Sequence, residues 1–139
     1  MGKYKIPPDA WRAATLALVR YRENQAAQQE LLNMAASQER GREKHGRTYA
    51  DPTQAAALRL ANDPQYMRIK RELAAVEKGI ESLNAVQTEV IRRRFFDHPP
   101  GVRKPCPYDY MTGTGYERAA MQKIIRRVII RTAQALGEL

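Results

Sequence analysis

Apolar residues recur every three or four positions along three long parts of the chain, which is the spacing of one buried helix face. The clearest case runs from Tyr116 to about Leu136 and contains no Gly or Pro. Its apolar positions are Met121, Ile124, Ile125, Val128, Ile129, Ala133 and Leu136. The positions between them are rich in Arg, Lys and Gln. We therefore predict a final helix that buries one side and exposes a basic one.

Two longer helices are predicted upstream. Nothing interrupts a helix from Asp9 to about Ser37, where the stripe is Trp11, Ala14, Leu18, Tyr21, Gln25, Gln28, Leu32 and Ala35. A second helix is predicted from about Pro64, capped by Asp63, to Phe96, with the stripe Ile69, Leu73, Val76, Ile80, Leu83, Gln87 and Val90. Gly79 inside it costs about 1 kcal/mol relative to Ala. A short helix opens at Asp51-Pro52-Thr53 between the two.

These patterns predict an all-α fold, in which a long, coiled-coil-like antiparallel hairpin precedes a C-terminal helix-turn-helix. The predicted parts are a flexible arm at 1–8, the hairpin at 9–90 with a polar loop at 37–52, and the helix-turn-helix at 91–139. Each long stripe needs an apolar partner, and a second copy of the chain is the alternative to the hairpin. A homodimer is therefore a candidate assembly.

Positive charge is concentrated near the end of the chain. The whole sequence has 24 basic and 15 acidic residues, a net charge of +9. The segment from Arg92 onward holds ten basic and four acidic residues, a net +6, which leaves +3 for residues 1–91. This excess favours an anionic partner, first of all nucleic acid, although a membrane surface or a simple gain in solubility would also suit it. No apolar run approaches the roughly 18 residues of a membrane span.

The residues do not favour an enzyme, a metal site or a cofactor site. His98 and Cys106 are a possible base and nucleophile, but no third orienting group accompanies them. His45 stands alone in the polar loop, and no paired Cys or His spacing suits zinc. The single cysteine, Cys106, excludes an intramolecular disulfide and is typical of a reducing cytoplasm.

The chain from about residue 51 resembles the RinA-type regulators, phage-encoded activators of late packaging and structural genes. The matching motifs are a DPT-Ala start, an Ile-Glu-Leu set, an aromatic helix end and an Ala-x-x-Leu-Gly close. They stand here at Asp51, Pro52, Thr53, Ile80, Glu81, Leu83, Val90, Ile91, Arg94, Phe95, Phe96, Arg131, Ala133, Leu136 and Gly137. The resemblance implies a DNA-reading domain like the fourth region of sigma factors. It also implies double-stranded DNA as partner, host RNA polymerase as a candidate partner, and the bacterial host cytoplasm as location.

The predicted contacts divide into base readers and phosphate binders. When the final helix is aligned on its Ala-Leu-Gly end, the base-contact candidates are Arg118, Gln122 and Arg126, because Arg pairs with guanine and Gln with adenine. The phosphate-contact candidates are Arg103, Lys104, Thr112, Thr114, Lys123 and Arg127. Arg92, Arg93 and Arg94 either complement the helix dipole or contact phosphate. Tyr108, Tyr110 and Tyr116 are expected to pack in the core.

Three functions remain open on the sequence. The first is a sequence-specific DNA-binding transcriptional regulator, an activator of phage late genes. The second is a DNA-recognition subunit of a phage terminase, which also combines a helix-turn-helix with a helical hairpin and assembles into rings. The third is a coiled-coil adaptor that binds protein partners and not DNA.

Overall fold

The computed structural model describes residues 5–43, 52–99 and 102–139, and their side chains except those of residues 39–43, 52 and 53. His45 and Asp51 lie outside this part of the chain, as does the centre of the predicted polar loop. Every regular element in the described residues is helical, which confirms the all-α class.

The regular elements of the described residues are six α-helices and two shorter helical turns. The α-helices are α1 (Pro8–Val19), α2 (Tyr21–Glu43), α3 (Pro52–Leu60), α4 (Pro64–Ile80), α5 (Ala85–Ile91) and α6 (Arg118–Ala135). A π-helical turn at Arg92–Phe96 continues directly from α5, and a single 3₁₀ turn lies at Tyr108–Tyr110.

The first predicted helix corresponds to α1 and α2, which are separated by a turn at Arg20. Helix α2 continues beyond Ser37 to Glu43, so the prediction that the polar loop begins at residue 37 was wrong for its first residues. Their sequence, SQERGRE, contains strong helix formers, and the isolated Gly41 costs only about 1 kcal/mol. Low apolar content was therefore a poor guide to where this helix ends.

The second predicted helix, from Pro64 to Phe96, was wrong in its middle. Helix α4 ends at Ile80 and α5 begins at Ala85. Asn84 forms a reciprocal cap there, since its Oδ1 accepts the Gln87 N–H at 2.8 Å and Gln87 Oε1 accepts the Asn84 N–H at 3.1 Å. The apolar spacing is similar on both sides of this break and therefore concealed it. The predicted cap of α4 is confirmed, because Asp63 Oδ1 accepts the Tyr66 N–H at 2.9 Å.

The chain divides into two compact units. One comprises Met1–Arg22 with Glu72–Leu139, and the other comprises Glu23–Arg71. This grouping differs from the predicted division at residue 91, because the apolar side of α1 packs in the same core as α6. Within the second unit, Ala35 and Ala36 of α2 pack against Ala56 and Leu60 of α3. The long hairpin stays a prediction.

Helix α6 supplies one side of the core of the first unit. All seven of its predicted apolar positions are buried, and Thr132 is buried with them. Helices α1 and α5 both pack on α6, and the π-helical turn packs on α1 and α5. The helix ends in a Schellman turn, in which Glu138 N–H donates to Ala133 O at 2.9 Å and Gly137 adopts φ 79°. Leu136 and Gly137, the end of the matching motif, therefore form the turn that ends this helix.

Gly79 allows α4 to approach α6 closely. A Cβ at this position would lie 2.3 Å from Thr132 Oγ1 and 3.3 Å from the Val128 carbonyl oxygen. The first distance is far below van der Waals contact, and the short, fully buried Thr132 side chain has little freedom to move away. The sequence suggested only a cost for this glycine, whereas the packing requires it.

We expect Gly79→Ala to lower the free energy of unfolding. Overpacking costs about 1–3 kcal/mol, more than the roughly 1 kcal/mol gained in helix propensity. In a Thr132→Ala background the clash with Oγ1 is removed, and the same substitution should be neutral or stabilising. Urea denaturation of the four proteins in this double-mutant cycle measures the coupling. An equal loss in both backgrounds would contradict the close contact.

Candidate nucleic-acid interface

The turn that carries Arg92, Arg93 and Arg94 is π-helical. It closes with a hydrogen bond from Asp97 N–H to Arg92 O at 2.9 Å, and it buries both Phe95 and Phe96. Phe96 stacks on Tyr21 with the ring centroids 4.6 Å apart. Rare π-turns often occur at functional sites. Here the turn directs three consecutive arginines to three different targets.

Arg92 makes ion pairs within its own region of the chain. Its guanidinium hydrogen-bonds both carboxylate oxygens of Glu89 and also contacts Asp97, which Arg22 approaches at 2.9 Å. The hydrogen bond from Arg92 holds the pKa of the Glu89 carboxyl below its usual value. These contacts, and not the helix dipole alone, account for the position of Arg92.

Arg93 and Arg94 hold the segment that precedes α6. Arg93 donates to the carbonyl oxygens of Thr112 and Tyr110, the second at 3.2 Å. Arg94 donates to Cys106 O, while its own carbonyl accepts the Cys106 N–H at 2.7 Å. The Arg94 guanidinium carbon also lies 4.1 Å from the centre of the Tyr108 ring. Both guanidinium groups therefore donate hydrogen bonds to backbone carbonyls of the protein itself.

The segment before α6 contains no α-helix within residues 102–117. Its one regular element is the 3₁₀ turn at Tyr108–Tyr110, so the complete helix-turn-helix is not confirmed. Thr114 is buried, and its Oγ1 accepts the Tyr116 N–H at 3.2 Å and also lies against Met121 Sδ. A hydroxyl enclosed in this way is badly placed for a phosphate, so Thr114 does not fit the phosphate-contact role predicted for it.

The predicted DNA-contact residues that lie on α6 are all exposed. They are Arg118, Gln122, Lys123, Arg126 and Arg127. The guanidinium carbon of Arg118 lies 4.9 Å from the Tyr108 ring centre, while Gln122 and Arg126 both line a cavity that Tyr108 also borders. The structure thus brings the three predicted base readers around one tyrosine. Lys123 and Arg127 do not line that cavity.

The remaining phosphate candidates precede α6 in the chain. Arg103, Lys104 and Thr112 are exposed, and the Thr112 carbonyl is held by Arg93. Of the three tyrosines expected in the core, Tyr108 and Tyr116 pack against it. Tyr110 is 74% exposed, so its expected burial was wrong. The carbonyl hydrogen bond from Arg93 fixes its backbone while its ring faces solvent.

Helix α1 contributes residues to this region that the sequence did not indicate as site residues. Trp11 and Thr15 line the same cavity as Gln122 and Arg126, and Arg12 lines the adjoining groove. Trp11 was predicted in the buried stripe of the first helix, yet it is 37% exposed at the edge of this cavity. The helical period is too coarse to separate a core position from a position at the border of the core.

His98 and Cys106 have separate environments. His98 Nε2 donates to the Val19 carbonyl oxygen at 2.8 Å, which satisfies a free carbonyl at the end of α1. Cys106 Sγ lies 3.5 Å from Pro107 O. Within the described residues, no group of three or more His, Cys, Asp or Glu side chains converges as metal ligands would.

The described helices do not include one with the length and apolar character needed to cross a bilayer. Comparisons of the chain with protein-family models, with curated proteins and with solved structures find no match.

We expect Arg93→Gln to destabilise the segment that leads into α6. A shielded hydrogen bond from a charged donor contributes about 1.5–3 kcal/mol to the free energy of unfolding. Because Arg93 is partly exposed, we expect its two hydrogen bonds to contribute about 1 kcal/mol together. Lys104→Gln is the matched control, because it removes the same charge from an exposed side chain nearby and should change stability by less than about 0.5 kcal/mol. Chemical denaturation compares the two, and equal effects would contradict the anchoring role.

Proposed function

We propose that the protein binds double-stranded DNA through α6 and acts as a sequence-specific transcriptional regulator. The single observation that carries this proposal is the two-sided character of α6. One side is buried in the core, while the other presents cations and Gln122 to solvent. The helix contains five basic residues and no acidic residue. Phosphate attraction and base contact both require such a surface.

The proposed contacts follow from position along α6. Arg118, Gln122 and Arg126 are spaced four residues apart and share one face, which suits contact with base edges in a major groove. Lys123 and Arg127 lie beside that face and suit phosphate oxygens, as do the exposed Arg103, Lys104 and Thr112. Anchoring of the preceding segment by Arg93 and Arg94 supports a defined approach of α6 to the duplex.

The biological role we propose follows the resemblance to the RinA-type regulators. In this proposal the protein is a phage-encoded activator of late genes in the bacterial host cytoplasm, with host RNA polymerase as a further partner. The residues shared with that group at Phe95, Phe96, Ala133 and Leu136 are buried here, and they build the core that orients α6.

Selection of bound fragments from random duplex DNA, followed by footprinting, tests the proposal. We expect one enriched sequence whose binding weakens steeply with salt. Lys123→Gln and Arg127→Gln should weaken binding to all duplexes alike. Each should also reduce the slope of log affinity against log salt concentration by about 1. Gln122→Ala should reduce discrimination at one base pair by about 1–3 kcal/mol with little change in the salt slope.

Lys70→Gln provides the control, since it removes an exposed cation from α4 and should leave the salt slope unchanged. No enrichment together with weak, salt-insensitive binding would contradict DNA recognition and favour a protein-binding adaptor. A large closed ring in light scattering of the DNA-bound protein would instead favour the DNA-packaging role.

A further inference from the structure

A cavity of about 300 Å³ is lined by α1, α6, the π-helical turn and the segment before α6. Its floor is formed by the buried Phe95, Ile125 and Ile129, and aromatic rings from Trp11 and Tyr108 border it. Ligand pockets in proteins typically range from about 300 to 1,000 Å³ and have mainly apolar walls with a few polar groups. The cavity is thus of a size and character that suits one planar ring system.

The polar groups of the cavity are few and varied. Gln122 offers both an amide donor and an acceptor, and Arg94 and Arg126 bring positive charge. Thr15 Oγ1 is buried and has no hydrogen-bond partner among the described protein atoms. Heteroaromatic rings carry donors and acceptors at their edge, which an apolar ring does not. These groups therefore favour a nitrogen heterocycle over a purely apolar ligand.

The cavity continues into a wider groove along the N-terminal half of α1. The two share Trp11, Thr15 and Arg126, and the groove adds Lys5 and Arg12. Arg94 donates to Cys106 O, so the basic side chains that can face a ligand on the combined surface are Lys5, Arg12 and Arg126, and no described Asp or Glu lines it. A surface of this charge attracts an anion next to the ring site.

We propose that this combined surface is a nucleotide site. The base enters the cavity against the Trp11 ring, where Gln122 hydrogen-bonds its edge. The phosphate lies in the groove, where it meets Arg12, Lys5 and Arg126. An adenine base suits Gln122 best, because the amide pairs with the adenine N6 and N7 atoms. Stacking on an aromatic ring is the usual means by which proteins hold unpaired bases.

The nucleotide comes either from solution or from an unpaired position in a DNA strand, since both offer a base and a phosphate. The site shares Gln122 and Arg126 with the proposed duplex contacts, but neither proposal requires the other. A duplex selection that fails leaves this inference standing, and an empty nucleotide site leaves duplex recognition standing. The two tests use different probes for this reason.

Trp11 provides a direct readout because it is the only tryptophan in the chain. The full-length protein is titrated with deoxyadenosine monophosphate and, separately, with a short single-stranded oligodeoxyadenylate, while tryptophan fluorescence is recorded. We expect saturable quenching by base stacking. Quenching by the monophosphate identifies a free nucleotide as a ligand, and quenching by the oligonucleotide alone identifies an unpaired strand.

Inorganic phosphate and the nucleoside deoxyadenosine serve as probes of the two halves of the ligand. Both should bind more weakly than the monophosphate, because each lacks one set of contacts. No saturable quenching by either nucleotide probe would overturn the proposal. An equal response to inorganic phosphate would also overturn it, because the site would then recognise an anion without a base.

Arg126 and Lys70 give a pair of variants that each remove one cation. Arg126 lines both the cavity and the groove, whereas Lys70 of α4 is exposed and lines neither. Arg126→Gln should weaken nucleotide binding about tenfold or more, while Lys70→Gln should leave it within about twofold. Gln122→Leu should weaken binding of the monophosphate but not binding of inorganic phosphate. Equal losses in the Arg126 and Lys70 variants would place the anion outside the cavity and contradict the assignment.

Discussion

The burial of one face of α6 is the constraint on which the rest of the first unit depends. Ile125, Val128 and Ile129 are almost fully enclosed, and each side chain of this size contributes about 1.5–3 kcal/mol when it leaves water. Their partners come from both chain segments of the unit, since α1 and α5 pack on the same helix. Because this face is fixed in the core, the basic face of α6 is fixed in solvent.

Two arginines stabilise a segment of irregular backbone. The segment at 102–117 contains little regular structure, so its carbonyl groups need partners from elsewhere. Arg93 and Arg94 supply them at Tyr110, Thr112 and Cys106. Part of the positive charge near the C-terminus therefore stabilises the fold and is not available to an anionic partner. On α6 itself, Arg118, Lys123, Arg126 and Arg127 are exposed.

Much of this structure was predictable from local patterns. The buried face of α6 followed from its three-four spacing, and the Asp63 cap followed from an acidic residue before Pro64. The break at Asn84 was missed although Asn and Gln stand three residues apart there, which is a recognisable capping box. The exposure of Trp11 and of Tyr110 had no local signal, because each depends on where other elements end.

The sequence alone determined the helical class, the apolar face of α6 and the basic character of its other face, since these depend on residue type and helical period. Only the tertiary structure decided that α1 would join α6 in one core and that Arg93 and Arg94 would point to backbone carbonyls. It also decided that Trp11, Tyr108, Gln122 and Arg126 would border one cavity. These outcomes require contacts between residues far apart in the chain, and periodicity carries no information about such contacts.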